Sequence, residues 1–339
     1  MDLNRRSLIF AAPREVAVQA GGVPEPGPGE LRVRAAASAI SAGSELLLYR
    51  GDAPDEGALD EAIPALQGGF AFPLRYGYAL AGSVDALGQG VDPAWLGRAV
   101  FAFHPHDSHA VIRQEDAIAL PAGVPPELGV FIPNLETAVN LVMDGAPLLG
   151  ERVVVFGQGV VGLLVTALLA RFPLGRLVTV DALPARRAAS RAFRADASLD
   201  PGEHEAPRAL LDEGEPRGAD LVFELSGNPA ALDAAIAAAG FAGRIVIGSW
   251  YGRKRAALDL GGRFHRNRQR LISSQVSTIA PELRGRWTKA RRFETVLALL
   301  PQLGLEQLIS HRFPIERAAE AYVLLDQHPD EALQVLLTY

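Results

Sequence analysis

Val153-Val154-Val155-Phe156-Gly157-Gln158-Gly159-Val160-Val161-Gly162 is the stretch on which the reading of this chain turns. A β-branched run leads into G-x-G-x-x-G, and an apolar run follows, which is the pattern of a buried strand, a tight turn and a buried helix. On its own the glycine pattern is weak. Its context strengthens it, because Leu177-Val178-Thr179-Val180-Asp181 reads as a second strand ending in an acid. Asp181 lies 19 residues beyond Gly162, close to the roughly 20 expected of an acid that binds a ribose. Gly157 allows the turn, Gly159 lets backbone approach a pyrophosphate, and Gly162 permits close helix–strand packing. The N–H groups of Val160, Val161 and Gly162 at the helix start then favour an anion. Asp181 accepts hydrogen bonds from ribose hydroxyls and repels a 2′-phosphate, which favours NAD(H) over NADP(H). Arg186 and Arg187 pull the other way, since either attracts a phosphate or lies on a solvated helix face.

Working outward, the chain changes texture at about residue 135. Beyond it, strand-like runs (153–156, 177–181, 221–225, 244–247) alternate with helical ones (161–172, 185–193, 230–239). Alternation of this kind predicts an α/β fold, a parallel sheet with helices on both faces. Before it the chain is β-rich, with short runs at 31–35, 82–84, 99–103 and 109–112 separated by glycine and proline. A helix is expected over 314–325 and a last strand over 332–337, with this tail returning to the first domain. The expected division is a β-rich domain of residues 1–135 completed by 290–339, and a dinucleotide-binding domain of 136–289.

The chain has 339 residues, a formal net charge of −6 and no cysteine. At roughly 100–200 residues per domain, two domains are expected. The missing cysteines exclude disulfides, thiolate nucleophiles and iron–sulfur clusters, and suit a reducing cytoplasm. A mildly acidic total speaks against nucleic acid or an anionic membrane as partner. The opening Met1-Asp2-Leu3-Asn4-Arg5-Arg6 has no signal-peptide layout. An uncharged stretch runs from Val153 to Ala170, 18 residues near the lower limit for crossing a bilayer. Its glycines fit the strand–turn–helix reading better than a membrane helix.

With Ala42-Gly43-Ser44-Glu45, Gly77-Tyr78-Ala79-Leu80-Ala81-Gly82, Glu224-Leu225-Ser226-Gly227 and Ile245-Val246-Ile247-Gly248-Ser249, the chain from about Leu31 onward resembles the medium-chain dehydrogenase/reductase superfamily. The resemblance implies a GroES-like first domain, a Rossmann second domain, an active site in the cleft between them and an oxidoreductase activity. It also implies departures. Zinc-dependent members carry Cys where this chain has Ala42, and His where it has Tyr78. A third ligand position falls near Pro133-Asn134, and the four-cysteine structural lobe is missing. The chain therefore looks like a zinc-free branch, similar to bacteriochlorophyllide dehydrogenase-like proteins, with no metal site.

Without a metal, hydride transfer needs a proton donor or oriented hydrogen bonds at the substrate oxygen. Tyr78 occupies a lost ligand's position and has a phenol that donates. Ser44 matches the family's proton-relaying hydroxyl, and Glu45 orients the site or acts as a base. Plain structural roles compete for all three. By resemblance, Ser226, Gly248 and Ser249 line the nicotinamide, and Thr137, Ser274 and Gln275 touch its end. Trp250 walls a substrate pocket, or packs in the core.

His104, His106 and His109 cluster in one passage, read as solvated loop histidines, as a metal site, since imidazole suits zinc, or, for His104, as a substrate contact or proton shuttle. Between Gly252 and Arg292 twelve basic residues face only Asp259 and Glu282. Arg266 stands for the reading in which this stretch meets a phosphate- or carboxylate-bearing small molecule, and a solvated surface is the alternative. The resemblance places a dimer-forming edge strand at 271–276. The leading expectation is a cytoplasmic, homodimeric, NAD(H)-dependent enzyme acting on an alcohol/ketone pair. An NADPH-dependent quinone or enoyl reductase and a non-catalytic dinucleotide-binding protein are the alternatives.

Overall fold

The computed structural model describes residues 4–53, 57–59, 63–202 and 218–339. The opening Met1-Asp2-Leu3 lies outside the described residues. The chain divides into two compact units, Met1–Pro133 with Leu297–Tyr339, and Asn134–Val296.

The first unit begins with a hairpin, β1 (Asn4–Ala12) and β2 (Glu15–Gly22), paired antiparallel. Its main sheet has the order β14-β15-β3-β4-β5-β7. These strands are β3 (Glu30–Ile40), β4 (Leu80–Leu87), β5 (Ala99–Ala102), β7 (Ile118–Ala119), β14 (Ile309–Pro314) and β15 (Gln334–Thr338), and β6 (His109–Arg113) pairs with β3. The last strand, β15, joins antiparallel to β3 with Leu337 opposite Ser38. Helix α1 (Ala42–Arg50) follows β3 directly, and Pro126–Gly129 forms a single-turn α2. Leu8, Phe10, Leu48, Tyr322 and Leu337 are among the buried residues of its core.

The second unit holds a sheet in the order β10-β9-β8-β11-β12-β13, with every pair parallel. Its strands are β8 (Arg152–Phe156), β9 (Arg176–Val180), β10 (Ala197–Leu199), β11 (Ala219–Glu224), β12 (Ala239–Ile247) and β13 (Arg270–Ser273). That order is the doubly wound Rossmann order. Val153, Val154 and Val155 are fully buried, as a central parallel strand covered on both faces requires. Helices α3 (Ile132–Gly145), α4 (Val160–Leu169), α5 (Pro184–Ala192), α6 (Pro229–Ala238) and α7 (Lys289–Leu299) belong to this part of the chain. In α4, Gly162 through Leu169 are all buried. The uncharged stretch at 153–170 is thus a strand and a buried helix, and among the described residues no helix is long and apolar enough to cross a membrane.

Three details differ from the sequence reading. The N-terminal hairpin was not expected. The last helix, α8, spans Ala318–Gln327 rather than starting at Pro314, because Pro314 ends β14. The edge strand ends at Ser273, short of Val276, because the chain turns there, with the Thr278 N–H donating to the Gln275 carbonyl.

Candidate functional site

In the second unit the glycine turn sits at the carboxyl end of β8. Gly157 has φ +84°, and a Cβ there would lie 2.6 Å from the Leu225 backbone. A Cβ on Gly162 would lie 1.9 Å from the Gly157 carbonyl oxygen. Only glycine satisfies both positions. At Gly159, the N-cap of α4, a Cβ would meet nothing nearer than Arg186 Nη1 at 3.9 Å. The protein's own packing does not demand a glycine there, and the space above the turn is open.

Helix α4 has no acidic residue in its first turn and no side-chain cap, leaving the N–H groups around Val160 and Val161 to an anion. Asp181 is buried beside the turn. Its Oδ2 accepts the Gln158 N–H at 2.6 Å and its Oδ1 the Leu183 N–H at 2.9 Å. Each carboxylate oxygen can accept a second bond, so the acid is oriented and still able to take ribose hydroxyls. These residues fit a dinucleotide. Gln158, unremarked in the sequence, is fully buried: Nε2 donates to Gly157 O at 3.1 Å and Oε1 accepts from Thr166 Oγ1 at 3.0 Å. Arg187 is committed elsewhere, to the carbonyls of Asp181 and Ala182 and to Asp200, each at 2.8 Å.

The residues assigned to the nicotinamide side are mostly engaged with the protein itself. Ser226 donates through its N–H (2.8 Å) and its hydroxyl to buried Glu224, which also accepts from the Tyr251 phenol. Burial, reinforced by the Glu224 carboxylate, pushes that phenol far above its ordinary range. Ser249 Oγ accepts the Gly227 N–H at 2.9 Å. Gly248 is needed for packing, because a Cβ there would lie 2.6 Å from Leu141 Cδ2.

Thr137 lies half-buried on α3. Ser274 donates to Asp144 at 2.6 Å and Gln275 Oε1 accepts the Ser277 N–H. Trp250, 39% exposed, and Arg266, on the surface, both lie in the second unit. The basic stretch is not one face. Arg292 is fully buried on Glu136, Asn140 and two carbonyls, and Arg291 stacks on Trp287 at 4.1 Å.

In the first unit, Ser44 Oγ lies 3.2 Å from the Tyr78 hydroxyl, and Tyr78 donates to Ser41 Oγ at 2.5 Å. Ser41 is the N-cap of α1, yet its side chain makes no cap bond. The sequence reading passed over it. Glu45 is fully buried: Oε1 accepts the Ser41 N–H at 2.7 Å, and Oε2 accepts the Tyr322 phenol and pairs with His106 Nε2 at 3.0 Å. Its place is beneath the hydroxyls, where it orients Ser41. On the far side of His106, Nδ1 lies 2.7 Å from Ser38 Oγ, which is 2.7 Å from the Tyr339 hydroxyl.

The histidines are not solvated. His106 and His109 are buried, and His104 Nδ1 lies 3.0 Å from the Pro105 carbonyl and 3.5 Å from Asp107. Burial lowers His104 against the pull of Asp107, and burial likewise lowers His109. At the positions where the resemblance puts zinc ligands, Ala42 offers a methyl group and Tyr78 a phenol already bonded to two serines. Among the described residues no group of three or more His, Asp or Glu side chains is placed to hold a metal. Neither Ala42 nor Tyr78 offers the thiolate or imidazole that the resemblance puts at these two positions.

Residues 160–300 match the family model of zinc-binding dehydrogenases. Over 98% of its length the chain is 24% identical to starvation-sensing protein RspB of Escherichia coli, covering 99% of that protein. It is 26% identical to L-threonine 3-dehydrogenase of Pyrococcus horikoshii, over 89% of this chain and 90% of the other. Among solved structures, galactitol-1-phosphate dehydrogenase of Escherichia coli superposes with a TM-score of 0.80 at 22% identity, over 98% of this chain and all of that one. A short chain alcohol dehydrogenase of Escherichia coli CFT073, complexed with NADH, gives 0.78 at 20%, over 99% of both. Residues 160–300 are thus similar to zinc-binding dehydrogenases, and the doubly wound strand order of the second unit is the fold these solved structures share with the chain.

Proposed function

We propose that this protein is an NAD(H)-dependent oxidoreductase that interconverts an alcohol and a ketone or aldehyde without zinc. The observation that carries the reading is the Ser44–Tyr78–Ser41 hydroxyl cluster. It occupies ground that a zinc site would need and supplies what chemistry without a metal requires, O–H donors for an oxygen that gains charge. When bound, the nicotinamide supplies or takes up the hydride. The turn from Gly157 to Gly162 cradles its pyrophosphate, and Asp181 holds the adenosine ribose. Asp181, with Arg187 already tied to Asp200, supports NAD(H) over NADP(H).

The surface arginines around Arg266 supply a positive field for a phosphate- or carboxylate-bearing substrate. Edge strand β13, paired on one side only among the described residues, suits a homodimer. A chain without cysteine suits the cytoplasm.

The test is oxidation of galactitol 1-phosphate, L-threonine, 2,3-butanediol and benzyl alcohol with NAD⁺, followed by nicotinamide absorbance with and without a chelator. Turnover that survives chelation is the expected result. Turnover that a chelator abolishes and zinc restores contradicts the metal-free reading. NADH binding without turnover of any probe points instead to a non-catalytic dinucleotide-binding protein.

A further inference from the structure

The residues singled out by resemblance are Ser44 and Tyr78, yet the direction of the hydrogen bonds puts a different group at the end of the chain. Tyr78 donates its proton to Ser41 Oγ at 2.5 Å, so the phenol's proton is already committed. Ser41 accepts it, and among the described residues no acceptor takes Ser41's own proton. A serine at an N-cap ordinarily turns its oxygen to the N–H groups of its own helix, a contact worth about 1 kcal/mol. Ser41 forgoes that contact. The helix start is secured by another device: Glu45, four residues on, reaches back to the Ser41 N–H at 2.7 Å.

Glu45 is itself fixed by His106 and Tyr322, both buried. The Ser41 backbone is therefore held from below while its hydroxyl is turned toward the phenol. Tyr78 is steadied in turn by Tyr76, packed edge-on with ring centroids 6.0 Å apart.

We propose that Ser41 is the residue that hydrogen-bonds the substrate oxygen and delivers its proton, with Tyr78 and then Ser44 behind it as a relay. The proposal rests on the oxidoreductase reading above. In the reducing direction, a bound reduced nicotinamide would supply the hydride to the carbonyl carbon, and the C=O π pair would move onto oxygen. That oxygen takes the Ser41 proton. Ser41 takes the Tyr78 proton across 2.5 Å, and Tyr78 takes one from Ser44 across 3.2 Å. Solvent restores the Ser44 proton, so one hydride and one proton reach the substrate and the three hydroxyls end as they began. Hydroxyls bonded in series polarise one another, which strengthens the terminal donor.

The experiment compares Ser41→Ala, Ser41→Thr and wild type on whichever of the four alcohols above turns over fastest, with NADH affinity measured by nicotinamide fluorescence. The Ser41 side chain makes no cap bond, so the alanine variant keeps its fold, and a thermal melt checks this. Loss of a positioned proton donor costs about 100-fold or more. The expected result is that fall in kcat for Ser41→Ala, recovery to within about tenfold in Ser41→Thr, which keeps the hydroxyl, and unchanged NADH affinity. Wild-type kcat in a folded Ser41→Ala protein overturns the proposal and leaves the oxidoreductase reading standing. A wild-type protein that binds no NADH overturns that reading, and the proposal with it.

Discussion

The glycine turn of the second unit and the hydroxyl cluster of the first are built in opposite ways. The turn is made of neighbours in sequence, and its shape is dictated by backbone sterics: a single added carbon on Gly162 would lie 1.9 Å from the Gly157 oxygen. The cluster is assembled across the whole chain. Ser38, Ser41, Tyr78, His106, Tyr322 and Tyr339 meet around Glu45 through hydrogen bonds, with Ser38 and Tyr339 301 positions apart. A site set by local backbone geometry tolerates no side chain at Gly157 or Gly162. A site set by distant side chains can be retuned one hydroxyl at a time. The two regions should therefore fail differently when perturbed.

The largest expected effect on binding is at the turn. Gly162→Ala forces the backbone apart, which costs about 1–3 kcal/mol or more, and NADH binding should fall below detection in a fluorescence titration. If the variant binds NADH like wild type, the turn is not the dinucleotide site.

Next comes a buried charge. Arg292→Ala leaves Glu136 buried and unpaired, and loss of one partner of such a pair costs about 3–5 kcal/mol. The urea midpoint should drop accordingly, and an unchanged midpoint would show that water replaces the guanidinium.

In the cluster, Glu45→Ala strands the Tyr322 hydroxyl, His106 Nε2 and the Ser41 N–H. At about 1–3 kcal/mol for each group left without a partner, its destabilisation should rival that of Arg292→Ala. Tyr339→Phe removes one hydroxyl from the far end and should cost only about 1 kcal/mol. Equal losses in these two variants would mean that the chain of bonds acts as one unit and does not weaken with distance.

The smallest effect concerns pH. Burial holds His104 below its ordinary value of 6.5. In the unfolded chain this imidazole takes up a proton near that pH, while in the folded protein it stays neutral. Stability is therefore complete above about pH 6.5 and declines as pH falls toward the folded-state value. Urea midpoints at pH 7 and pH 5 should show that decline in wild type and less of it in His104→Gln. An equal decline in both would assign it to other groups, His109 first.

These contrasts also explain what was legible in the sequence. The strand, the turn and α4 were readable because β-branched residues, glycine spacing and apolar runs are local signals, and the parallel sheet followed from their alternation. The hairpin of β1 and β2 was missed because its alternation of buried and exposed residues is irregular. The burial of His106 carried no local signal, since it comes from partners at 38 and 45. Ser41 was passed over for the same reason. It reads as an ordinary helix cap until Tyr78, 37 positions away, is seen to donate to it. A capping serine with an acid four residues on was the one hint available.

The measurement that tests the central claim most directly is parallel titration of the purified protein with NADH and NADPH, read by nicotinamide fluorescence. Saturable NADH binding at least tenfold tighter than NADPH, with the difference reduced in Asp181→Asn, is the predicted result. Tighter binding of NADPH would contradict the role given to Asp181, and binding of neither would contradict the dinucleotide site itself.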